Sequence, residues 1–318
     1  MRQIPAFPAL SASPTPSAPR AILAIVLMTL CFQGCAQQPQ MPLKKLPPLP
    51  VSYLVHTINA NVRHITELRL VGTLTIRYFD SKNRPQSISL HAVLLIKRVA
   101  ATTANLAATA STAPQAEVLL LTTYLGQNAL ELGLNRHGYW LINHQKNQAY
   151  VGQLNTRGIV PPGVLPINPS RLLALLAMDT LPGNGLTLMT EVPGRPRLNL
   201  LVLSLREGHL LVHRRLSISR YSGRVTEVEL FNSGAIAAAI SHLRQYPAVS
   251  PTELFAAKVP ISALIPRKID IEIPTRKSEL RFSIHSVYTQ LPGKARFIFA
   301  RPSFHGDTVH VIHPAEAQ

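Results

Sequence analysis

Carboxylates are scarce in this chain. Asp and Glu together number 15 in 318 residues against 32 Lys and Arg, a net charge of +17. So few acids give no support to the paired carboxylates of a glycosidase. Cysteine is scarcer still, with only two, Cys31 and Cys35. Four residues apart, they read either as a disulfide or metal pair or as part of a processing signal, and no third cysteine completes a zinc site. Gly-x-Ser-x-Gly, phosphate-loop and His-Glu-x-x-His patterns are missing. His209 and His213 share a strand face but lie too far apart to bind one metal without a third ligand, and His310 with His313 is no better placed. The sequence therefore implies no metal, no cofactor and no catalytic set. Aromatics are few, at 6%, and the basic pairs Arg214-Arg215, Arg267-Lys268 and Arg276-Lys277 lack the interleaved stacking residues of a nucleic-acid surface. Charged residues make up 15% of the chain, below the roughly 25% of ordinary soluble domains. A basic surface of this kind selects anionic lipid or an acidic protein.

What is present begins with an address. Arg2 and Arg20 flank a Pro/Ser/Ala-rich leader that precedes the uncharged run Ala21–Phe32. That run is too short for a membrane-spanning helix, which needs roughly 20 residues, and fits the apolar region of a secretory signal. Phe32-Gln33-Gly34-Cys35 resembles a bacterial lipobox, with a small residue before the cysteine that becomes the lipidated first residue of the mature chain. Phe32 and Gln33 depart from the usual pattern. Residues 1–35 thus read as a signal peptide and 36–50 as a proline-rich tether in extended conformation. Residues 51–313 then form a single domain, and 314–318 a tail.

Leu54, Ile58, Val62 and Ile65 recur every three to four residues, which predicts an amphipathic helix over Val51–His64. From Leu68 the period changes to two, and Leu68, Leu70, Leu74 and Ile76 predict a strand that Asp80–Asn83 turns into a second, Ser87–Arg98. Residues 100–116 are low-complexity and read as a loop. The centre of the chain is Glu117–Gly152: three β-prone runs, in the first of which Leu130, Leu132 and Leu134 alternate with Glu131 and Gly133. That period implies a sheet with one greasy face. After a proline-stiffened loop at 158–166, Asn168-Pro169 opens a leucine-rich helix with Leu172, Leu173, Leu175 and Leu176, and Leu181-Pro182-Gly183 stops it. Further strands are expected at 197–205, 210–220, 224–231, 268–273, 279–288, 295–300 and 308–312. Ile269, Ile271 and Ile273 show the cleanest alternation. Ala235–Arg244 reads equally as helix or strand. The whole is mainly β: an antiparallel sheet of around ten strands, which at that size curls, with two helices on its apolar side.

The order of these pieces resembles the LolA and LolB outer-membrane lipoprotein localisation factors over roughly Val51–Ile312. The resemblance rests on the N-terminal helix and strand pair, Leu119-Leu120-Leu121-Thr122, Tyr124-Leu125-Gly126 in place of a Pro-Leu-Gly loop, the leucine helix ending in Leu181-Pro182-Gly183, and the run of C-terminal strands. It implies an unclosed half-barrel whose concave side, covered by the N-terminal helix and the short apolar helix, holds lipoprotein acyl chains. It also implies that the Tyr124-Leu125-Gly126 loop reaches into a membrane. Tyr124 stands where that family has proline. By residue type alone, Leu125 reads as well as a buried strand-end leucine.

On this reading the chain is not an enzyme but an envelope lipoprotein, anchored through Cys35, facing the periplasm and sited by the resemblance at the outer membrane. It would accept, carry or insert lipoproteins, with acyl chains or lipid as ligand and a periplasmic carrier protein as a second partner. The acyl cavity would be lined by Leu130, Leu132, Leu134, Leu172, Leu175, Leu176, Ile269 and Ile271. An apolar lumen shields each CH₂ for about 0.8 kcal/mol and needs no catalytic group, but a filled core has the same residues. The alternative is an envelope interaction or stress-sensing module on the same half-barrel, with a packed interior and no transport.

Overall fold

The computed structural model describes residues 50–80, 82–99, 116–153, 169–182, 186–191, 195–206, 208–232, 234–248, 260–293, 299–304 and 308–312. The expected signal peptide, Cys35, the tether before Pro50, the low-complexity loop up to residue 115 and the proline loop lie outside them, and Ala116, expected in the loop, opens a strand. Three α-helices are present among the described residues: α1 (Val51–His64), α2 (Pro169–Leu175) and the single turn α3 (Ile261–Leu264). The strands in the first half are β1 (Glu67–Phe79), β2 (Pro85–Arg98), β3 (Ala116–Tyr124), β4 (Gln127–Asn135), β5 (Gly138–Asn143) and β6 (Gln148–Gly152). Those in the second half are β7 (Thr187–Glu191), β8 (Arg197–Arg206), β9 (His209–Ser219), β10 (Val225–Phe231), β11 (Ala237–Arg244), β12 (Lys268–Ile273), β13 (Ser278–Tyr288) and β14 (Thr308–Ile312).

All belong to one 14-stranded sheet in the order β14-β6-β5-β4-β3-β2-β1-β13-β12-β11-β10-β9-β8-β7. Its ends do not pair, so the sheet is unclosed. Only β14 joins in parallel, along β6. In this order β4 and β10 are seven places apart, which in a flat sheet is about 34 Å. Helix α2, about 10 Å long, nonetheless touches both. The sheet therefore curls around α2 into a half-barrel.

Fourteen strands exceed the ten or so expected, for local reasons. The first central run is two strands, β3 and β4, folded back at Leu125-Gly126. Ala237–Arg244 is a strand because β10 and β12 satisfy its backbone on both sides, which outweighs alanine's helix preference. Thr187–Glu191 adds an edge strand. Of the strand expected at 295–300, only Phe299 and Ala300 are described, and they lie in a turn.

The inner face is one apolar cluster fed by nearly every strand and by α1 and α2, including Leu54, Leu70, Leu94, Leu132, Leu200 and Phe282. The expectation of a single greasy face fails at β2–β6. There the outer face carries a second cluster of Leu95, Leu119, Trp140, Ile142, Val151 and Phe299. Val118–Leu121 and Tyr139–Ile142 are apolar without alternation, as strands buried on both faces must be. Gly133 makes room for this layer: a Cβ there would lie 2.0 Å from the Trp140 ring. Trp140 donates its Nε1–H to Glu131 at 2.8 Å, so the outward Glu131 is used within the layer. Farther round, the outer face becomes an ion-pair ladder, in which Arg281 bridges Asp270 and Glu279, and Arg215 pairs with Glu227 and Glu229.

Candidate functional site: the helix-covered concave face and the hairpin tip

Strand alternation and the curl bring the expected cavity residues together. Leu132 and Leu134 from β4, Ile269 and Ile271 from β12, and Leu172, Leu175 and Leu176 from α2 and its end are all buried in the inner cluster, and Leu130 packs against it. The leucines of α2 are packed against strand side chains here. A cleft of about 70 Å³ lies beside them, between α1, the end of α2, the β9–β10 turn and α3. By itself this cleft is smaller than a small-molecule site of roughly 300–1,000 Å³. Ile58, Val62, Leu176 and Ile265 line the cleft with Arg224 and Tyr246. The Arg224 guanidinium stacks over Tyr246 at 4.9 Å, and the Tyr246 hydroxyl donates to Val225 O at 2.7 Å. Burial pushes the Tyr246 phenol far above its ordinary range, which keeps it a neutral donor.

How the helices are held is what sequence reading missed. The segment Met178–Leu181 that follows α2 is gripped by polar side chains from three elements. Asn59 of α1 donates Nδ2–H to Leu181 O at 2.9 Å and accepts the Leu181 N–H at 2.7 Å. Arg98, the last residue of β2, donates Nε–H to Val62 O at 2.8 Å and Nη2–H to Met178 O, tying α1 and the α2 segment to one strand. Arg214 of β9 pairs with Asp179 at 3.1 Å and donates to Thr180 O at 3.2 Å. Burial pulls both guanidinium groups below the usual arginine range, and the Asp179 carboxylate acts in the opposite direction. The signal was present: Arg98 continues the inward phase of Leu94 and Ile96, and Arg214 that of Leu216 and Ile218. A lone arginine in an apolar phase needs a partner inside. The expected basic pair Arg214-Arg215 thus divides, one residue inward and one outward.

The third feature is the β3–β4 turn. Leu125 is 88% exposed and Tyr124 43%, so the buried strand-end alternative for Leu125 does not hold. Leu125 and Gly126 have φ of 50° and 79°, the pair of left-handed residues of a two-residue hairpin turn. Asn-Gly is the sequence such a turn favours, and a leucine there costs about 1–2 kcal/mol. Burial does not repay that cost. Cys35 lies outside the described residues. His209 and His213 sit on β9 with no third ligand, and no group of three metal-binding side chains occurs among the described residues.

No family model matches this sequence, and no curated protein matches it. Solved structures do. A domain from Vibrio parahaemolyticus named for outer membrane lipoprotein sorting is 8% identical, covers 77% of this chain and 94% of its own, and superposes with a TM-score of 0.51. A LolA superfamily protein from Nitrosomonas europaea is 10% identical over 78% of this chain and 97% of its own, at 0.44. A DUF1329 family protein from Desulfovibrio piger is 8% identical over 80% and 98%, at 0.49. At such identities the likeness is one of fold, and it rests on the first of the three. With its helix-covered, unclosed sheet, the chain shares the half-barrel fold of that lipoprotein-sorting domain.

Proposed function

We propose that this chain is an envelope lipoprotein that binds acyl chains on its concave face and accepts, carries or inserts lipoproteins at the outer membrane. Cys35 is its lipid anchor, the periplasm its working space, and a periplasmic carrier the protein that brings its cargo. It acts by binding, not by catalysis. The observation that carries this reading is the way α1 and α2 are held. A face that is apolar but for Arg98 and Arg214 is closed by two helices whose polar fastenings converge on one segment, Met178–Leu181. Carbonyl and carboxylate grips of this kind can be exchanged for water, whereas the leucines beneath regain contact with hydrocarbon. Opening therefore exposes the inner cluster, including Leu172, Leu175, Leu176, Ile269 and Ile271, and an acyl chain supplies about 0.8 kcal/mol per CH₂ to keep it open. Tyr124-Leu125-Gly126 supplies the membrane contact, with tyrosine suited to the interface. One leucine contributes at most about 1.5–3 kcal/mol, enough to assist delivery but not to anchor.

Uptake of a fluorescent acyl probe by the purified chain tests the proposal: saturable binding with blue-shifted emission is expected. The packing of α2 against the strands favours a second reading, an interaction or stress-sensing module with no transport. Failure of the probe to bind both the parent chain and a variant with the Arg98 grip removed would leave that second reading standing.

A further inference from the structure

Six hairpin turns fall at one end of the half-barrel, and the β4–β5 and β9–β10 turns at the other. β1 runs toward the β1–β2 turn, and because its neighbours pair antiparallel, the turns β3–β4, β5–β6, β12–β13, β10–β11 and β8–β9 stand at that same end. Along the sheet from β5–β6 to β8–β9 the tips advance by about one residue per strand in register. Tilted strands need that stagger for their ends to stand level in a curled sheet. The tips thus form one rim.

Exposed aliphatic side chains gather on it. Among the described residues, five Leu and Ile side chains are strongly exposed, and four lie at these tips: Leu125 at 88%, Leu205 at 65%, Ile236 at 60% and Leu210 at 58%. The fifth, Leu188, lies along edge strand β7. Phe79 and Tyr124 join the rim, whereas the opposite strand ends expose Val99, Tyr221 and Tyr288. Each tip side chain comes from a separate turn or a cross-strand pair, as Leu205 with Leu210, so no shared packing explains them. Exposed cations stand on the remaining tips: Lys82 and Arg84 on β1–β2, Lys146 on β5–β6 and Lys277 on β12–β13. Asp80 on the β1–β2 tip is already bound by Arg84 at 2.8 Å and by the Lys82 and Arg84 amides, and Glu272 and Glu279, one pair below the β12–β13 turn, are paired with His242 and with Arg77 and Arg281.

We propose that this whole rim, and not the β3–β4 turn alone, docks on an anionic lipid bilayer, its leucines, isoleucine and phenylalanine entering the interface while its lysines meet the head groups. Apolar side chains ringed by Lys and Arg are the composition of interfacial membrane binding. The charge makes a bilayer of anionic lipid the occupant. The inference extends the membrane contact proposed for Leu125 but is independent of acyl binding.

Vesicle flotation with the full chain carrying Cys35→Ser, which removes the anchor, tests it. Vesicles of equal parts phosphatidylcholine and phosphatidylglycerol are compared with phosphatidylcholine alone. The parent should prefer the anionic vesicles and lose binding as salt rises. The triple variant Leu205→Ser/Leu210→Ser/Ile236→Ser, with Leu125 intact, should bind on the order of a hundredfold more weakly. Lys82→Glu/Lys277→Glu should lose about tenfold on the anionic vesicles only. These sites are exposed, and unchanged circular dichroism verifies folding. Parent-like binding by both variants overturns the proposal, and if Leu125→Ser alone abolishes binding, the contact belongs to that turn only. A parent that ignores both vesicles, or self-associates through the tips, also overturns it. Acyl-probe uptake by the triple variant reads the other proposal separately: loss of uptake in the parent with vesicle binding intact leaves the rim standing.

Discussion

Replacing Arg98 by leucine should loosen both helices from the concave face while leaving the sheet intact. Arg98 donates two hydrogen bonds, to Val62 O at 2.8 Å and to Met178 O. A bond from a charged donor contributes about 1.5–3 kcal/mol, so the pair holds the closed helices by roughly 3–6 kcal/mol before the cost of burying the guanidinium is subtracted. That cost is visible in the downward pull of burial on Arg98. A net of about 2–3 kcal/mol in favour of closure is a reasonable remainder. It corresponds to a rise of roughly thirty- to 160-fold in the open population. Hydrogen exchange measures it directly: amides of α1 and α2 should exchange faster by about that factor, those of β1 and β13 should not change, and acyl-probe uptake should rise in parallel. Arg98→Lys, which keeps one donor, should fall between. If α1 and α2 lose protection only as much as the whole sheet does, Arg98 is an ordinary core contact and the helix cover is not a lid. If protection does not change at all, the grip contributes nothing.

Three further outcomes follow from the structure. Leu125→Asn should stabilise the chain by about 1 kcal/mol in urea unfolding, because asparagine accepts the left-handed conformation that leucine resists, and should weaken membrane binding at the same time. Gly133→Ala should destabilise by about 1–3 kcal/mol, since its Cβ would meet the Trp140 ring at 2.0 Å; Trp140 is the chain's one tryptophan, so its fluorescence should report the displaced ring. Asp80 is held below the ordinary carboxylate value of 3.8, first by the Arg84 N–H and also by the Arg84 guanidinium and the Lys82 N–H, with burial opposing. A depressed carboxylate supports the fold above its unfolded value and loses that support as pH falls through its folded value. The Lys82 and Arg84 amides should therefore lose exchange protection as pH falls below 3.8, and Asp80→Asn should remove that step.

Local pattern made much of the architecture legible. The three-to-four spacing from Leu54 to Val62 and the period of two from Leu68 to Ile76 place α1 and β1 without reference to anything distant. The leucines of β4 and α2 and the isoleucines of β12 were identifiable as one apolar set because alternation and helical spacing are local rules. Ala237–Arg244 was not decidable that way, since its strand identity comes from two neighbours that satisfy its backbone. The second cluster on the outer face was hidden because Phe299 and Leu291, which help to cover it, are far from β3 and β5 in sequence.

Composition and periodicity alone thus determined a mainly β chain and its apolar inner residues, whereas the turn that holds Leu125 came from the family resemblance, because periodicity ran straight through it. Only the tertiary structure decided that Leu125 is exposed, that Arg98, Arg214 and Asn59 converge on one segment, and that the tips carrying Leu205, Leu210 and Ile236 share a rim with Leu125. The reason is physical: side-chain phase is set by the backbone's own repeat, whereas convergence depends on strand order and register, which bring together residues as far apart as Asn59 and Leu181.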